Sequence, residues 1–187
     1  MGTQTIDSSG YLTGSVTWNK AAAPLPVKSL LYIEGFSPIT MDVLGGLYSP
    51  VANGGVVRGL ANNANNARLV FSEGGLLTSE LDSLILSITN PNPLKNTQLI
   101  AYPTLNPNKL SLAIPAKPAG SFSGKVSILN ARPDLVRNLI FQGVMAKTAA
   151  STWKAAGYVL VPQLPQPGQT IKTSTILSGQ VVLDTNP

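Results

Sequence analysis

The sequence predicts an all-β fold, either a sandwich or a closed barrel of about ten short, mainly antiparallel strands. Three observations support this class. Apolar and hydroxyl residues alternate with a period of two in several segments, as they do in a strand with one buried face. Clusters of Gly, Pro and Asn separate these segments at short intervals, which is typical of turns. No segment carries a sustained helical stripe of apolar residues.

Two of the predicted strands share a glycine motif. Residues 10–18 place Gly, Leu, Gly, Val and Trp on one face and Tyr, Thr, Ser and Thr on the other. Residues 120–128 repeat this arrangement, with two glycines and three large apolar residues on one face. Glycine inside a strand costs about 0.5–1 kcal/mol relative to alanine. Geometry therefore selects glycine at Gly14 and Gly124, since it permits a sharp coil of the strand or the close approach of another segment across a small barrel. A ligand that approaches the backbone there is the alternative, and we expect Trp18 to lie in the core.

Further strands are predicted from the same alternation and from the turn signals that bound them. There is a short one near Gln4, and the others cover residues 39–44, 56–60, 67–72, 83–89, 109–114, 139–146, 155–161 and 175–183. Two stretches leave an alternative open. Residues 133–137 are compatible with one helical turn, and the alanine-rich residues 144–156 tolerate helix.

The chain is predicted to form one β domain, residues 1–187, built from two related halves of about 1–100 and 101–187. Each half begins with a glycine strand, continues through an apolar segment and closes on an alternating strand. Either half alone would leave an apolar face uncovered. If the two halves pack with their apolar faces together, both surfaces are buried. This favours an internal duplication with a pseudo-twofold axis.

The composition excludes several classes of function. The chain has no histidine and no cysteine, so histidine-based triads and thiolate metal sites are excluded and no cofactor or metal is expected. Its 13 Lys and Arg residues form no cluster, whereas nucleic-acid binding needs a basic stripe. No apolar segment reaches about 18 residues, so no membrane insertion is expected. Because no export signal is visible, we expect that it was removed or that the chain is part of a longer protein.

Charged residues make up only 11% of the chain, compared with about 25% in an ordinary soluble domain. The surface must therefore consist largely of hydroxyl and amide groups, as in exported bacterial β proteins. Glu80 and Asp82 would share one face of an extended strand. A hydrolase with a carboxylate pair is one interpretation of them, but we expect a solvated pair near a turn. No serine elbow or phosphate-binding loop accompanies them.

Ligand-binding candidates are few. Trp153 lies between Thr152 and Lys154 in a segment of small residues, and an exposed tryptophan beside polar groups is a platform for a sugar ring. Tyr48 and Tyr102 either contribute to such a surface or cap turns. Asn62 and Asn63 belong to an asparagine cluster that offers amide oxygens, with a solvated turn as the alternative.

Several motifs together resemble a known family. They are Gly-Ser-Phe-Ser-Gly-Lys-Val at 120–126, Phe-Gln-Gly at 141–143, the segments 157–165 and 177–183, and in the first half 12–18 and 65–71. This set is similar to a β-rich module of very large exported bacterial surface proteins that also carry immunoglobulin-like and Calx-β-like repeats. The resemblance implies a secreted or cell-surface location and a role in a modular chain. It implies no catalytic residues.

The predicted function is a non-enzymatic structural or interaction module of a secreted or cell-surface bacterial protein. The alternative is a carbohydrate or small-ligand binding β-barrel. The expected partners are neighbouring modules of a larger chain, or a surface glycan or protein. Recognition is expected in the connections at residues 50–66 and 90–108, because loops on a rigid scaffold commonly carry it.

Overall fold

The computed structural model describes residues 2–24, 29–48, 60–61, 63–92, 97–102, 105–115, 120–129, 135–149 and 152–186. Eleven strands and no α-helix occur within these ranges, which confirms the predicted all-β class. The strands are β1 (Gly2–Ile6), β2 (Leu12–Lys20), β3 (Phe36–Gly45), β4 (Ala67–Glu73), β5 (Ser83–Asn92), β6 (Thr97–Ala101), β7 (Ser111–Ala113), β8 (Ser121–Ile128), β9 (Arg137–Ala149), β10 (Thr152–Pro162) and β11 (Ile176–Thr185).

Eight strands form one antiparallel sheet in the order β6-β5-β4-β11-β10-β9-β8-β7. The two edges of this sheet approach each other. The backbone N–H of Gln98 in β6 donates to the carbonyl of Ile114 just after β7 at 3.0 Å. The Leu112 N–H of β7 donates to the Tyr102 hydroxyl at 2.8 Å. The sheet is therefore a nearly closed barrel.

Alternate residues of the barrel strands point inward and are buried. Phe141 of β9 lies between Phe71 of β4 and Phe122 of β8, with ring centroids 5.6 Å and 6.4 Å from its own. The other buried apolar residues of the strands are Ala67, Leu69, Leu86, Ile88, Leu112, Val126, Ile128, Leu139, Met145, Val159, Val161, Val181 and Leu183. Apolar side chains from strands of both halves thus fill the interior, which places the core inside the barrel.

Strands β1, β2 and β3 form a separate antiparallel sheet in that order. Trp18 of β2 is 38% exposed, so the prediction that it lies in the core is wrong. Its ring packs edge-on against Tyr32 and Phe36, at centroid distances of 6.0 Å and 4.7 Å. The reason is the position of this sheet outside the barrel, where the barrel core does not cover its apolar face.

A short segment before β3 ties the small sheet to the barrel. The Ile176 N–H of β11 donates to the Leu30 carbonyl at 2.8 Å, and the Tyr32 N–H donates to the Ile176 carbonyl at 2.9 Å. The Tyr32 hydroxyl accepts from the Ser178 N–H at 3.0 Å and donates to the Ser178 carbonyl at 3.2 Å. Tyr32 therefore joins the start of β11 to the aromatic cluster around Trp18.

The two glycine strands have matching neighbours. β2 lies between β1 and β3, and β8 lies between β7 and β9, with every pair antiparallel. Beyond these two meanders the halves differ. β9 continues into β10 within the same sheet, whereas β3 and β4 belong to different sheets. The barrel consequently takes strands from both halves instead of facing one half against the other.

The structure bears to different extents on three other local predictions. Residues 144–156 belong to β9 and β10 in their described part and not to a helix, because cross-strand pairing overrides the helix propensity of alanine. Leu135 lies in a 3₁₀ turn and Arg137 already begins β9. Residues 133–134 lie outside the described residues, as do 56–59 of a predicted strand.

The predicted close approach at the two glycines is present in the structure. A Cβ atom on Gly14 would collide with the Thr3 carbonyl oxygen of β1. One on Gly124 would collide with the Ser111 carbonyl oxygen of β7 and would lie 2.5 Å from Cζ of Phe141. In both meanders the glycine leaves room for the backbone of the neighbouring strand, which is why a larger residue does not fit.

Replacing Gly124 by alanine should lower the free energy of unfolding by about 1–3 kcal/mol, because either the β7 backbone or the Phe141 ring must move. The matched control is Lys125→Ala, whose exposed side chain points to the other face of the same strand. Its effect should stay within about 0.5 kcal/mol. Urea unfolding of both variants measures the difference, and equal midpoints would show that the contact is not tight.

Candidate functional site

The structure brings together two of the predicted ligand-binding residues, Trp153 and Tyr48. Trp153 lies on β10 and Tyr48 follows β3, with ring centroids 6.0 Å apart and planes at 87°. The Tyr48 ring also covers Gly120, where an added Cβ would lie 2.5 Å from Cγ of Tyr48. Gly120 has a φ of +55°, a conformation that favours glycine. Both aromatic side chains are half-buried. Their contact joins the segment after β3 to β10 of the barrel.

Tyr102 lies at the barrel seam. Its hydroxyl accepts the Leu112 N–H, and its ring packs against the core. The side chain therefore caps the exposed edge of β7 and helps to close the barrel. Residues 97–101 of the connection predicted at 90–108 form β6, which is one edge of the nearly closed barrel. The prediction of a loop there is wrong for these residues, because they pair with β5.

The asparagine cluster lies where the chain enters β4. Asn62 is outside the described residues, whereas Asn63 is exposed and lines a pocket of about 410 Å³ with Asn65 and Asn186. Asn66 is buried, and its amide pairs with the backbone of Ile88 through bonds of 2.7 Å and 2.8 Å. The last asparagine of the cluster thus extends the pairing of β4 with β5 by a side chain.

The two acidic candidates, Glu80 and Asp82, lie in different environments. Glu80 forms an ion pair with Arg137, and the side chains are 14% and 2% exposed. Its second carboxylate oxygen accepts the Leu77 N–H at 3.3 Å. The prediction of a solvated Glu80 is wrong, because a basic residue 57 positions away in sequence reaches it across the barrel end. Asp82 is exposed. No group of three or more Asp or Glu residues lies together within the described ranges.

A groove on the outer face of the barrel was not predicted. It spans β8, β9 and β10 over a volume of about 410 Å³, and its outward-facing residues are Ser121, Ser123, Gln142, Val144, Ala156 and Tyr158. Tyr158 is 43% exposed. It pairs with Gln142 on one side and with Gln180 on the other, and Gln142 pairs with Ser123. A row of hydroxyl and amide side chains therefore crosses four strands, with one aromatic ring in its middle.

The polar groups of this row have free hydrogen-bonding capacity. In the part of the chain that the structure describes, no protein group bonds to the side chains of Ser123, Gln142, Tyr158 or Gln180. A signal for the row was present in the sequence. Alternation along the predicted strand 155–161 places Tyr158 on the opposite face from Val159 and Val161. Only the strand order shows that two glutamines flank it.

Comparisons with family models, curated proteins and solved structures found no match to this chain. Among the described residues, no helix is long and apolar enough to span a membrane.

Proposed function

We propose that the chain is a non-enzymatic structural or interaction module of a secreted or cell-surface bacterial protein. The observation that carries this proposal is the exposed apolar face of the three-stranded sheet. Trp18 pairs with Ile39, and Val16 of the same face pairs with Met41. Trp18, Ile39 and Met41 are 38%, 45% and 36% exposed. Contiguous exposed apolar surface commonly marks a protein contact.

A protein partner fits this sheet better than a glycan or a nucleic acid. The exposed residues of the face carry no charge, and a protein interface core is depleted in charge. The outer strands β1 and β3 pair only with β2 among the described residues. Their free edges can accept a strand from a neighbouring β module. We therefore propose such a module as the partner of this face.

The surface location rests on composition and on the resemblance described above. Only 11% of the residues are charged, and hydroxyl and amide side chains occupy much of the outer barrel face, as at Ser123, Gln142 and Gln180. The alternative, a barrel that binds a ligand in its lumen, has less support. The inward side chains Phe122, Val126 and Ile128 occupy the space that a ligand would need.

Cysteine labelling tests the proposal, because the chain has no native cysteine. Met41→Cys places a thiol on the exposed face of the small sheet, and Gln166→Cys places one in the exposed connection between β10 and β11. In the purified protein both thiols should react readily with a membrane-impermeant maleimide. On intact cells that produce the whole protein, Gln166→Cys should still react, whereas Met41→Cys should react several-fold more slowly because the partner covers it.

Each part of this experiment has an outcome that would contradict the proposal. Equal labelling of both positions on cells would show that nothing covers the small sheet. Labelling of Gln166→Cys only after lysis would show that the protein is not at the cell surface. A Met41→Cys thiol that is also slow in the purified protein would show that the face is covered within the chain itself.

A further inference from the structure

We propose that the groove across β8, β9 and β10 binds a neutral saccharide, with Tyr158 as the platform for a sugar ring. The groove lies on strands of the barrel and not on the three-stranded sheet that carries the contact face. A saccharide site there goes beyond the proposed role of that sheet and does not depend on it.

Two paired glycines explain the place of the groove. Gly143 of β9 pairs with Gly157 of β10. A Cβ on Gly143 would collide with the Phe122 ring, and one on Gly157 would collide with the Gln142 carbonyl oxygen. Such glycines permit strong local coiling of a barrel wall, and the groove lies directly over them. Its volume of about 410 Å³ falls in the range of small-molecule sites, about 300–1,000 Å³.

The side chains around the groove match the chemistry of a pyranose. One face of a sugar ring presents C–H groups that pack on an aromatic ring, and its hydroxyls seek hydrogen-bond partners. Tyr158 supplies the exposed ring, and Gln142 and Ser123 supply unpaired amide and hydroxyl groups in the same row. Val144 is 61% exposed on the adjacent row and offers an apolar contact to the ring edge.

Charge and position argue against other ligands. Among the described residues, those that line the groove carry no charge, so its lining offers no counter-charge to an anionic or cationic ligand. β9 and β10 are central strands that pair on both sides, so an extended peptide cannot add to them as a further strand. The combination of one aromatic platform, free amides and no charge therefore selects a neutral saccharide.

The test uses the whole chain on an array that holds charged oligosaccharides as well as neutral ones built from hexose, pentose and N-acetylhexosamine units. We expect wild-type protein to bind at least one of the neutral ones, and calorimetry with that oligosaccharide then compares the variants. Tyr158→Ala should bind about tenfold more weakly, because stacking and ring burial are lost. Tyr158→Phe should bind almost as tightly as wild type, since it keeps the ring. Gln142→Leu should weaken binding while it keeps side-chain bulk.

Tyr11→Ala is the matched control, because Tyr11 precedes β2 and is not among the described residues that line the groove. Its affinity should equal that of wild type. The unfolding midpoint of Tyr158→Ala should remain unchanged, which separates binding from folding. Three results would overturn the proposal: no binding to any neutral oligosaccharide, binding only to charged ones, or full binding by Tyr158→Ala with a loss in Trp153→Ala.

Discussion

Replacing Glu80 by alanine should lower the free energy of unfolding by about 3–5 kcal/mol, the usual cost of leaving a buried charge without its partner. Among the described residues, Arg137 has the largest fully buried side chain. Its guanidinium bonds the Glu80 carboxylate and donates to the Pro162 carbonyl at 3.3 Å. Because the guanidinium would stay buried, it would lose the only charged partner that the described residues give it. Urea unfolding measures the loss.

Two controls separate the buried pair from ion pairing in general. Arg68 and Asp184 lie 3.3 Å apart with side chains 39% and 50% exposed, so Arg68→Ala should cost no more than about 1 kcal/mol. Replacing both Glu80 and Arg137 by apolar residues, Glu80→Leu with Arg137→Met, should recover most of the stability lost in Glu80→Ala. If Glu80→Ala and Arg68→Ala are equally stable, the buried pair is not needed to close this end of the barrel.

Replacing Phe141 by alanine should also cost about 3–5 kcal/mol, because the cavity left by a buried ring is only partly refilled. Phe141 is fully buried and contacts rings from β4 and β8. The variant therefore removes a contact that joins strands distant in sequence. Phe141→Leu should cost less, since it leaves a smaller cavity.

The matched control for Phe141 is its neighbour in sequence. Ile140 lies on the same strand but points outward and is 57% exposed. Ile140→Ala should change the free energy of unfolding by no more than about 0.5 kcal/mol. Similar losses at both positions would mean that β9 does not have one buried and one exposed face, and that the barrel interior is not the core.

Most strands could be predicted because alternation with a period of two is a local property. The segments 67–72, 83–89 and 139–146 lie within β4, β5 and β9. β6 was missed because its five residues lie in a stretch rich in proline and asparagine. Its strand conformation depends on pairing with β5, a contact that no local pattern encodes.

The candidate sites were harder to predict than the strands. Trp153 was selected as an exposed platform, yet its ring meets Tyr48 edge-on. Tyr158 was not predicted as a binding residue. Its flanking glutamines, Gln142 and Gln180, lie in register with it on the neighbouring strands. Composition shows which side chains exist, but a binding row is an arrangement across strands. It becomes visible only when strand order and register are known.

The two glycine strands show most directly what each level of structure decided. By itself the sequence determined that residues 10–18 and 120–128 contain alternating strands, and it indicated a geometric reason for Gly14 and Gly124. The structure shows this reason to be the close approach of a neighbouring backbone. The equivalent positions Trp18 and Ile128 nevertheless differ, at 38% and 0% exposure. Alternation determines which side chains share a face of a strand. What covers that face depends on long-range pairing, which closed the barrel around β8 and left β2 in an open three-stranded sheet.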